Sequence, residues 1–216
     1  MTQALQTYYA ARAPEYDSVY LKPERQADLR AMEQWVSQIF VGARVLEIAC
    51  GTGYWTKFIA QVADRVLAVD AVPETIDIAK GRGPLQNVEF LIGDAYAPPR
   101  RGGDFNAAFA GFWFSHVPLA RRLEFLSGLN AAVGRDARVV LLDNRFAESS
   151  SSPIAERDED GNTYQMRGLR DGTTHRVLKN FPSEAELRSL AGRVGKEIRF
   201  IQWEYYWALE YQVSQS

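Results

Sequence analysis

The sequence predicts a three-layer α/β/α domain, a doubly wound and mostly parallel sheet with helices on both faces. Three observations carry this. Short apolar runs alternate with segments of helical periodicity from Arg44 to Leu142, the order that builds βαβ units. The run Ala137–Leu142 is continuously apolar, as a strand covered on both faces must be. Between the first run and the first helix after it stands Gly51-Thr52-Gly53, a turn whose glycines let the chain bend sharply and let a ligand approach the main chain. The 216 residues suffice for a single domain, 1–216, with a sizeable core.

The elements follow in order. Pro14 interrupts any helix begun near Tyr8 and Tyr9. Pro23 suits the first position of the next helix, whose stripe is Leu29, Met32, Val36, Ile39 and Phe40, and Gly42 ends it. Strand 1 begins near Arg44, and Tyr54–Ala63 reads as a helix with Trp55, Phe58, Ile59 and Val62 on one face. Strand 2 is Val66–Val69, Pro73 opens a helix that Gly81 and Gly83 stop, and strand 3 holds Val88, Phe90 and Ile92. Pro98–Gly103 is a loop and Phe105–Phe109 is strand 4. Leu119, Leu123, Leu126, Leu129 and Val133 mark the next helix, and strand 5 is Ala137–Leu142.

The alternation breaks after Asn144. Ser149–Pro153 and Glu156–Gly161 are polar and turn-rich, and Tyr164–Leu169 with Thr173–Leu178 make two short strands around Asp171-Gly172, a hairpin signal. The insert, about 145–182, leaves the ligand-binding rim of the sheet and is expected to act as a lid. Ser183 with Glu186 forms a capping-box pattern opening a helix with Leu187, Leu190 and Val194. Ile198–Val213 is aromatic and strand-like, with a turn near Glu204. Alternation puts Trp203, Tyr205, Trp207, Leu209 and Tyr211 on one face and Tyr206 on the other.

Three acids close three of the apolar runs. Val45-Leu46-Glu47-Ile48-Ala49-Cys50-Gly51-Thr52-Gly53 comes first, Asp70 ends the second run, and Leu91-Ile92-Gly93-Asp94-Ala95-Tyr96 ends the third. An acid about twenty residues past a glycine turn is where a βαβ nucleotide fold binds ribose hydroxyls. This ordered set resembles the class I S-adenosylmethionine (SAM) dependent methyltransferases. The resemblance implies a Rossmann-like seven-stranded sheet with an antiparallel C-terminal strand, SAM as cofactor and S-adenosylhomocysteine (SAH) as product. It further implies that Glu47, Ala49, Gly51, Gly53 and Trp55 build the loop around the amino-acid end of SAM. Asp70 with Ala71 would hold the ribose, and Asp94 with Ala95 would lie near the adenine. Small methyltransferases often begin with a similar Tyr…Arg-Ala…Tyr-Asp stretch. By that likeness residues 1–41 cover the cofactor, Arg12 or Tyr8/Tyr9 meets its carboxylate, and Tyr16 packs on the site. Gly111 and Phe112, after strand 4, would face the cofactor. One departure stands out: Ala49 occupies a position where the family often has glycine, and alanine reaches positive φ only at a cost. A nicotinamide fingerprint fits less well, because Thr56 stands where Gly-x-Gly-x-x-Gly requires its last glycine.

Methyl transfer needs alignment above all, and a base only where the acceptor must lose a proton. His116, one of two histidines, is the candidate catalytic base, with a structural hydrogen-bonding role as the alternative. Trp113, His116, Asn144 and Tyr205 are candidates for the acceptor pocket, and Asp143 with Asn144 either orients the acceptor or caps strand 5. His116 and His175 give no metal-ligand spacing, so no metal is expected.

A formal net charge of −2 makes no electrostatic case for nucleic acid. Cys50, the only cysteine, rules out an intramolecular disulfide and sits in the glycine loop, where a small side chain packs. With no signal peptide and no membrane-length apolar run, the expected location is cytoplasmic, with no membrane partner. The combined expectation is an enzyme, monomer or homodimer, that methylates an O, N, C or S atom of a small-molecule acceptor. A SAM- or SAH-binding sensor without turnover is the alternative; another SAM-fold enzyme, such as an aminopropyl transferase, is a further one.

Overall fold

The apolar runs become strands in the computed structural model, which describes residues 2–100 and 104–214. Of the loop expected at Pro98–Gly103, Arg101, Gly102 and Gly103 lie outside the described residues. In chain order the strands are β1 (Arg44–Ile48), β2 (Arg65–Asp70), β3 (Val88–Ile92), β4 (Ala107–Gly111) and β5 (Arg138–Asn144). Then come β6 (Glu156–Arg157), β7 (Thr163–Gly168), β8 (Thr174–Leu178), β9 (Gly195–Gln202) and β10 (Tyr206–Val213). The helices are α1 (Gln3–Arg12), α2 (Gln26–Ile39), α3 (Thr56–Ala60), α4 (Pro73–Gly81), α5 (Arg122–Ala132) and α6 (Glu184–Ala191).

Seven strands form the main sheet in the order β3-β2-β1-β4-β5-β10-β9, with β10 antiparallel to both neighbours and β1 to β5 parallel. The expected fold class is therefore the observed one. Alternation along each strand splits the core between the two faces. Leu46 and Ile48 pack with Phe125 and Leu129 of α5 and Leu187 of α6. Val45 packs with Met32 and Val36 of α2, Ile59 of α3 and Ile76 of α4. The strand order reverses between β1 and β4, so the crevice beyond their carboxyl ends is the place where such sheets bind ligands.

Three boundaries differ from the sequence reading. Strand β4 covers Ala107–Gly111, two residues later than expected, because pairing with β1 aligns Val45 with Ala107 and Ile48 with Ala110. Asn106 breaks the expected run just before the strand begins. Helix α3 is one short turn and a half, Thr56–Ala60, rather than Tyr54–Ala63. The closing hairpin also breaks the expected alternation. Trp203 and Tyr205 precede β10 and pack on the face of Tyr206 and Ala208, opposite Trp207, Leu209 and Tyr211.

Strands β6, β7 and β8 form a separate antiparallel sheet docked beside the segment that follows β4. Asn180 anchors it: its backbone N–H donates to the Ser115 carbonyl at 2.8 Å, and its amide donates to Val117 O and Asn162 Oδ1 at 3.3 and 3.1 Å. No helix among the described residues is long and apolar enough to cross a membrane.

Candidate active site

Chain geometry at the end of β1 sets the first half of the site. Ala49 and Gly51 take φ of 55° each and Gly53 takes 75°, so the loop curls back over the sheet. Alanine in this region costs about 1 kcal/mol; the loop tolerates that strain at Ala49. Asp70, at the end of β2, closes the turn from the side. Its Oδ2 accepts the Gly51 N–H at 2.8 Å and its Oδ1 accepts the Val72 N–H at 2.9 Å. Each carboxylate oxygen keeps a further lone pair for a ligand hydroxyl. Phe112, past β4, is a second non-glycine residue here in the left-handed region, with φ 58°, and lines the same cleft as Ala49.

These residues line a narrow cleft together with Tyr9, Tyr16, Ala71, Val72, Gly93, Ala95, Gly111, Trp113 and His116. Its open space is about 40 Å³, little more than one water's share of liquid. A nucleoside-sized ligand needs more room than this. Glu47 lies directly behind the loop. Burial, reinforced by the Asp70 charge, pushes its carboxyl up to about 8, and its Oε2 has no hydrogen-bond partner among the described residues. A buried carboxyl with an unused acceptor fits a ligand that carries an ammonium group.

A second, larger cavity opens on the other side of the tyrosines, with a volume of about 500 Å³, within the range of small-molecule sites. Its walls come from the N-terminal segment (Tyr9, Arg12, Glu15, Tyr16, Lys22, Arg25), from the β6–β8 sheet (Gln165, Arg167, Arg170) and from Asn144, Lys179 and Tyr206. Tyr9, Tyr16, Phe112 and His116 line both cavities. They mark the junction between the two.

His116 is buried with both ring nitrogens engaged. Nδ1 lies 2.6 Å from the Leu178 carbonyl, which only accepts, so Nδ1 carries the hydrogen. Nε2 then accepts from the Tyr9 hydroxyl at 2.9 Å. Burial first, then the Lys179 and Arg167 charges, hold the imidazole well below its usual pKa and keep it neutral. Below it, Lys179 donates to Ser115 Oγ at 2.6 Å and Asp143 Oδ1 at 3.0 Å. Burial opposes ionisation of Asp143, but the Lys179 ammonium and the backbone N–H groups of Ser115 and Asn144 more than offset it, and the carboxyl stays below its usual range.

The expected site residues divide accordingly. Tyr9, Tyr16, Ala49, Gly51, Asp70, Ala71, Ala95, Gly111, Phe112 and His116 come together at the cleft. Asn144 lines the larger cavity. Several expectations need correction. Arg12, expected at the cofactor carboxylate, lines the larger cavity, and Trp113, expected at the acceptor, lines the cleft. Trp55 sits one layer back, its ring 5.9 Å from Phe112 and 6.3 Å from Phe109, as support rather than lining. Gly53 serves packing, because a Cβ there would meet Ala79 Cβ at 2.9 Å. Asp94 stands exposed at the rim, accepting the Tyr96 N–H at 3.1 Å. Tyr205 lies outside both cavities, under the Arg25 guanidinium, and Tyr206 takes the place expected of it.

Sequence reasoning missed Lys22, Arg25, Arg167 and Lys179. One signal pointed to Arg167: on β7, Thr163 and Gln165 are buried, Arg167 is half-buried, and apolar Met166 between them is exposed. That inverted pattern marks a face turned toward a polar cavity.

Comparison with known proteins follows the same lines. Residues 45–136 match a family described as a methyltransferase domain. A protein-L-isoaspartate O-methyltransferase of Bradyrhizobium sp. (strain ORS 278) is 34% identical over 54% of this chain and 65% of its own length. A magnesium-protoporphyrin O-methyltransferase of Rhodobacter capsulatus is 36% identical over 36% of each chain. The chain thus spans between about a third and two thirds of these relatives. Among solved structures, DhpI in complex with SAH is 30% identical, with a TM-score of 0.80 and both chains covered completely. DhpI in complex with SAM and HEP gives 30% and 0.79, over 98% of this chain and 99% of that one.

Proposed function

Because the chain belongs to the class I SAM-dependent methyltransferases, we propose that it methylates a small molecule bound in the 500 Å³ cavity. One observation carries the reading: Tyr9, Tyr16, Phe112 and His116 line both cavities, so the two adjoin and an acceptor atom at their junction can reach a methyl group held in the cleft. SAM, bound in the cleft, supplies a methyl group made electrophilic by its sulfonium.

The chain's residues then have separable tasks. Asp70 holds the ribose hydroxyls while it braces the glycine turn through Gly51 and Val72. Glu47 receives the ammonium end, and ionises as it does so. Tyr9 and Tyr16 close over the cofactor and exclude water. His116 is a positioning residue: it accepts the Tyr9 hydroxyl and is itself held by Leu178, so it fixes Tyr9 at the junction of the two cavities. The 145–182 insert acts as a lid. The Arg170–Glu15 ion pair at 2.9 Å and the Tyr8–His175 ring contact at 5.3 Å support this, since both join it to the N-terminal segment over the cavity.

The test is a screen with SAM carrying a labelled methyl group against a panel of small oxygen, nitrogen and sulfur acceptors. Transfer to at least one, with SAH as the other product, is expected. SAH binding without transfer to any acceptor would favour a sensor.

A further inference from the structure

Six cationic side chains and one carboxylate line the larger cavity. Arg170 is paired with that carboxylate, Glu15, and Lys179 with the buried Asp143. The other four, Arg12, Lys22, Arg25 and Arg167, form no ion pair among the described residues. Their partners are neutral. Arg12 donates to the Tyr8 hydroxyl, and Lys22 to the Ser150 carbonyl. Arg25 donates to Ser150 Oγ at 2.8 Å and Asn144 Oδ1 at 2.9 Å, and Arg167 donates to Gln165 Oε1 at 2.8 Å. Arg25 is only 6% exposed. Charges withdrawn from water are costly, and here a chain of net charge −2 gathers buried Arg25 and half-buried Arg12, Lys22 and Arg167 on one cavity, with one further carboxylate nearby, Glu24, which meets Arg25 only through the Ser150 hydroxyl.

Neither the imidazole nor the carboxylates near these walls are free to take a proton from an acceptor. Both nitrogens of His116 are engaged, Glu15 is held by Arg170, and Asp143 is occupied by Lys179 and by the backbone N–H groups of Ser115 and Asn144. An acceptor suited to this cavity brings its own lone pair, already deprotonated.

We propose, building on the methyltransferase reading above, that the acceptor is a small molecule bearing an oxyanion, a carboxylate or a phosphorus oxyacid, and that one of its anionic oxygens takes the methyl group. In the step, a lone pair on that oxygen forms the new C–O bond. The C–S bond of SAM breaks with its electron pair left on sulfur, giving the neutral thioether SAH. The acceptor loses one negative charge and no proton moves. Cations that bind an oxygen also make it a poorer nucleophile, so Arg167, Lys22, Arg25 and Arg12 hold the oxygens that are not methylated and aim the remaining one. The ester, with one charge fewer, is held less tightly than the acceptor, which favours its release.

The experiment is calorimetric titration of the SAH-saturated protein with inorganic phosphate and, separately, with acetate. Wild type is compared with Arg167→Gln, Lys22→Gln and Arg167→Lys, and SAH affinity is measured first in each. A saturable site for at least one oxyanion is expected, weakened about tenfold or more in both glutamine variants and largely kept in Arg167→Lys, with SAH affinity unchanged. Wild type that binds SAH but shows no saturable oxyanion site overturns this inference and leaves the methyltransferase reading standing. Equal oxyanion binding by wild type and both glutamine variants also overturns it, because the anion then sits elsewhere. Wild type that fails to bind SAH removes the reading beneath.

Discussion

The narrow cleft and the larger cavity, proposed above for cofactor and acceptor, share lining residues but are otherwise built from different material. The cleft is lined by short residues at strand ends, Ala49, Gly51, Ala71, Gly93, Ala95 and Gly111, together with the rings of Tyr9, Tyr16, Phe112, Trp113 and His116. The cavity is lined by long side chains from distant segments, with Arg12 and Lys22 from the N-terminus and Arg167 from β7. Strand ends are set by the sheet, whereas a wall of long side chains can change by substitution without touching it.

The largest effect that tests this contrast concerns the acceptor side. Lys179 and Asp143 are buried, with side-chain exposures of 5% and 0%, and removing one partner leaves the other charge alone in the interior. Lys179→Met is expected to lose about 3–5 kcal/mol of unfolding free energy in urea, and the pair Lys179→Met/Asp143→Asn, which keeps an acceptor for the Ser115 and Asn144 N–H groups, to regain part of it. A loss under about 1 kcal/mol in the single variant would show that water reaches the pair and that side chains do not anchor this half.

A smaller effect is expected at the shared wall. Tyr9→Phe removes the hydroxyl that donates to His116. Turnover should fall about tenfold while SAH affinity changes by less than about twofold. An equal loss in both would mean that Tyr9 belongs to the cofactor half alone.

Proton release probes the cleft. Glu47, raised to about 8 from its ordinary 4.5, is mostly protonated near pH 6.5 in the free protein. Pairing with the cofactor ammonium ionises it, so SAH binding should release about one proton, read from the dependence of binding heat on buffer ionisation enthalpy. The linkage to stability has a definite sign. A folded-state value above the unfolded one stabilises fully below pH 4.5, and this contribution is lost as pH rises through about 8. Glu47→Gln should abolish the proton release and flatten the fall in free-protein stability over that window. Unchanged release in the variant would move the ammonium contact to another group.

The smallest effect is at Ala49. With φ at 55°, Ala49→Gly relieves left-handed strain but frees the unfolded chain, for a net gain of about 0.5 kcal/mol. A net loss in chemical denaturation would show that the strain is absent in solution.

The same contrast explains what was legible beforehand. Glu47, the glycine turn and Asp70 lie on consecutive elements, and strand ends beside a turn leave a local pattern. The sheet could be read for the same reason, since each βαβ unit is written in one stretch of chain. The acceptor side had no such pattern: Arg12, Lys22, Arg25, Arg167 and Lys179 span 168 positions of sequence distance only closed by folding. Trp55 and Trp113 were assigned to the wrong layers because both belong to long aromatic runs, where periodicity does not say which ring faces the ligand. Tyr205 was misplaced by a turn that ends the alternation one residue later than the pattern suggests.

The most direct test of the two-part account is a crossed SAH titration by calorimetry on wild type, Asp70→Asn and Arg167→Gln. The account expects wild type to bind SAH, Asp70→Asn to bind it about 10- to 100-fold more weakly, and Arg167→Gln to match wild type. Absence of binding by wild type, or an equal loss in both variants, would contradict the separation of a cofactor half from an acceptor half.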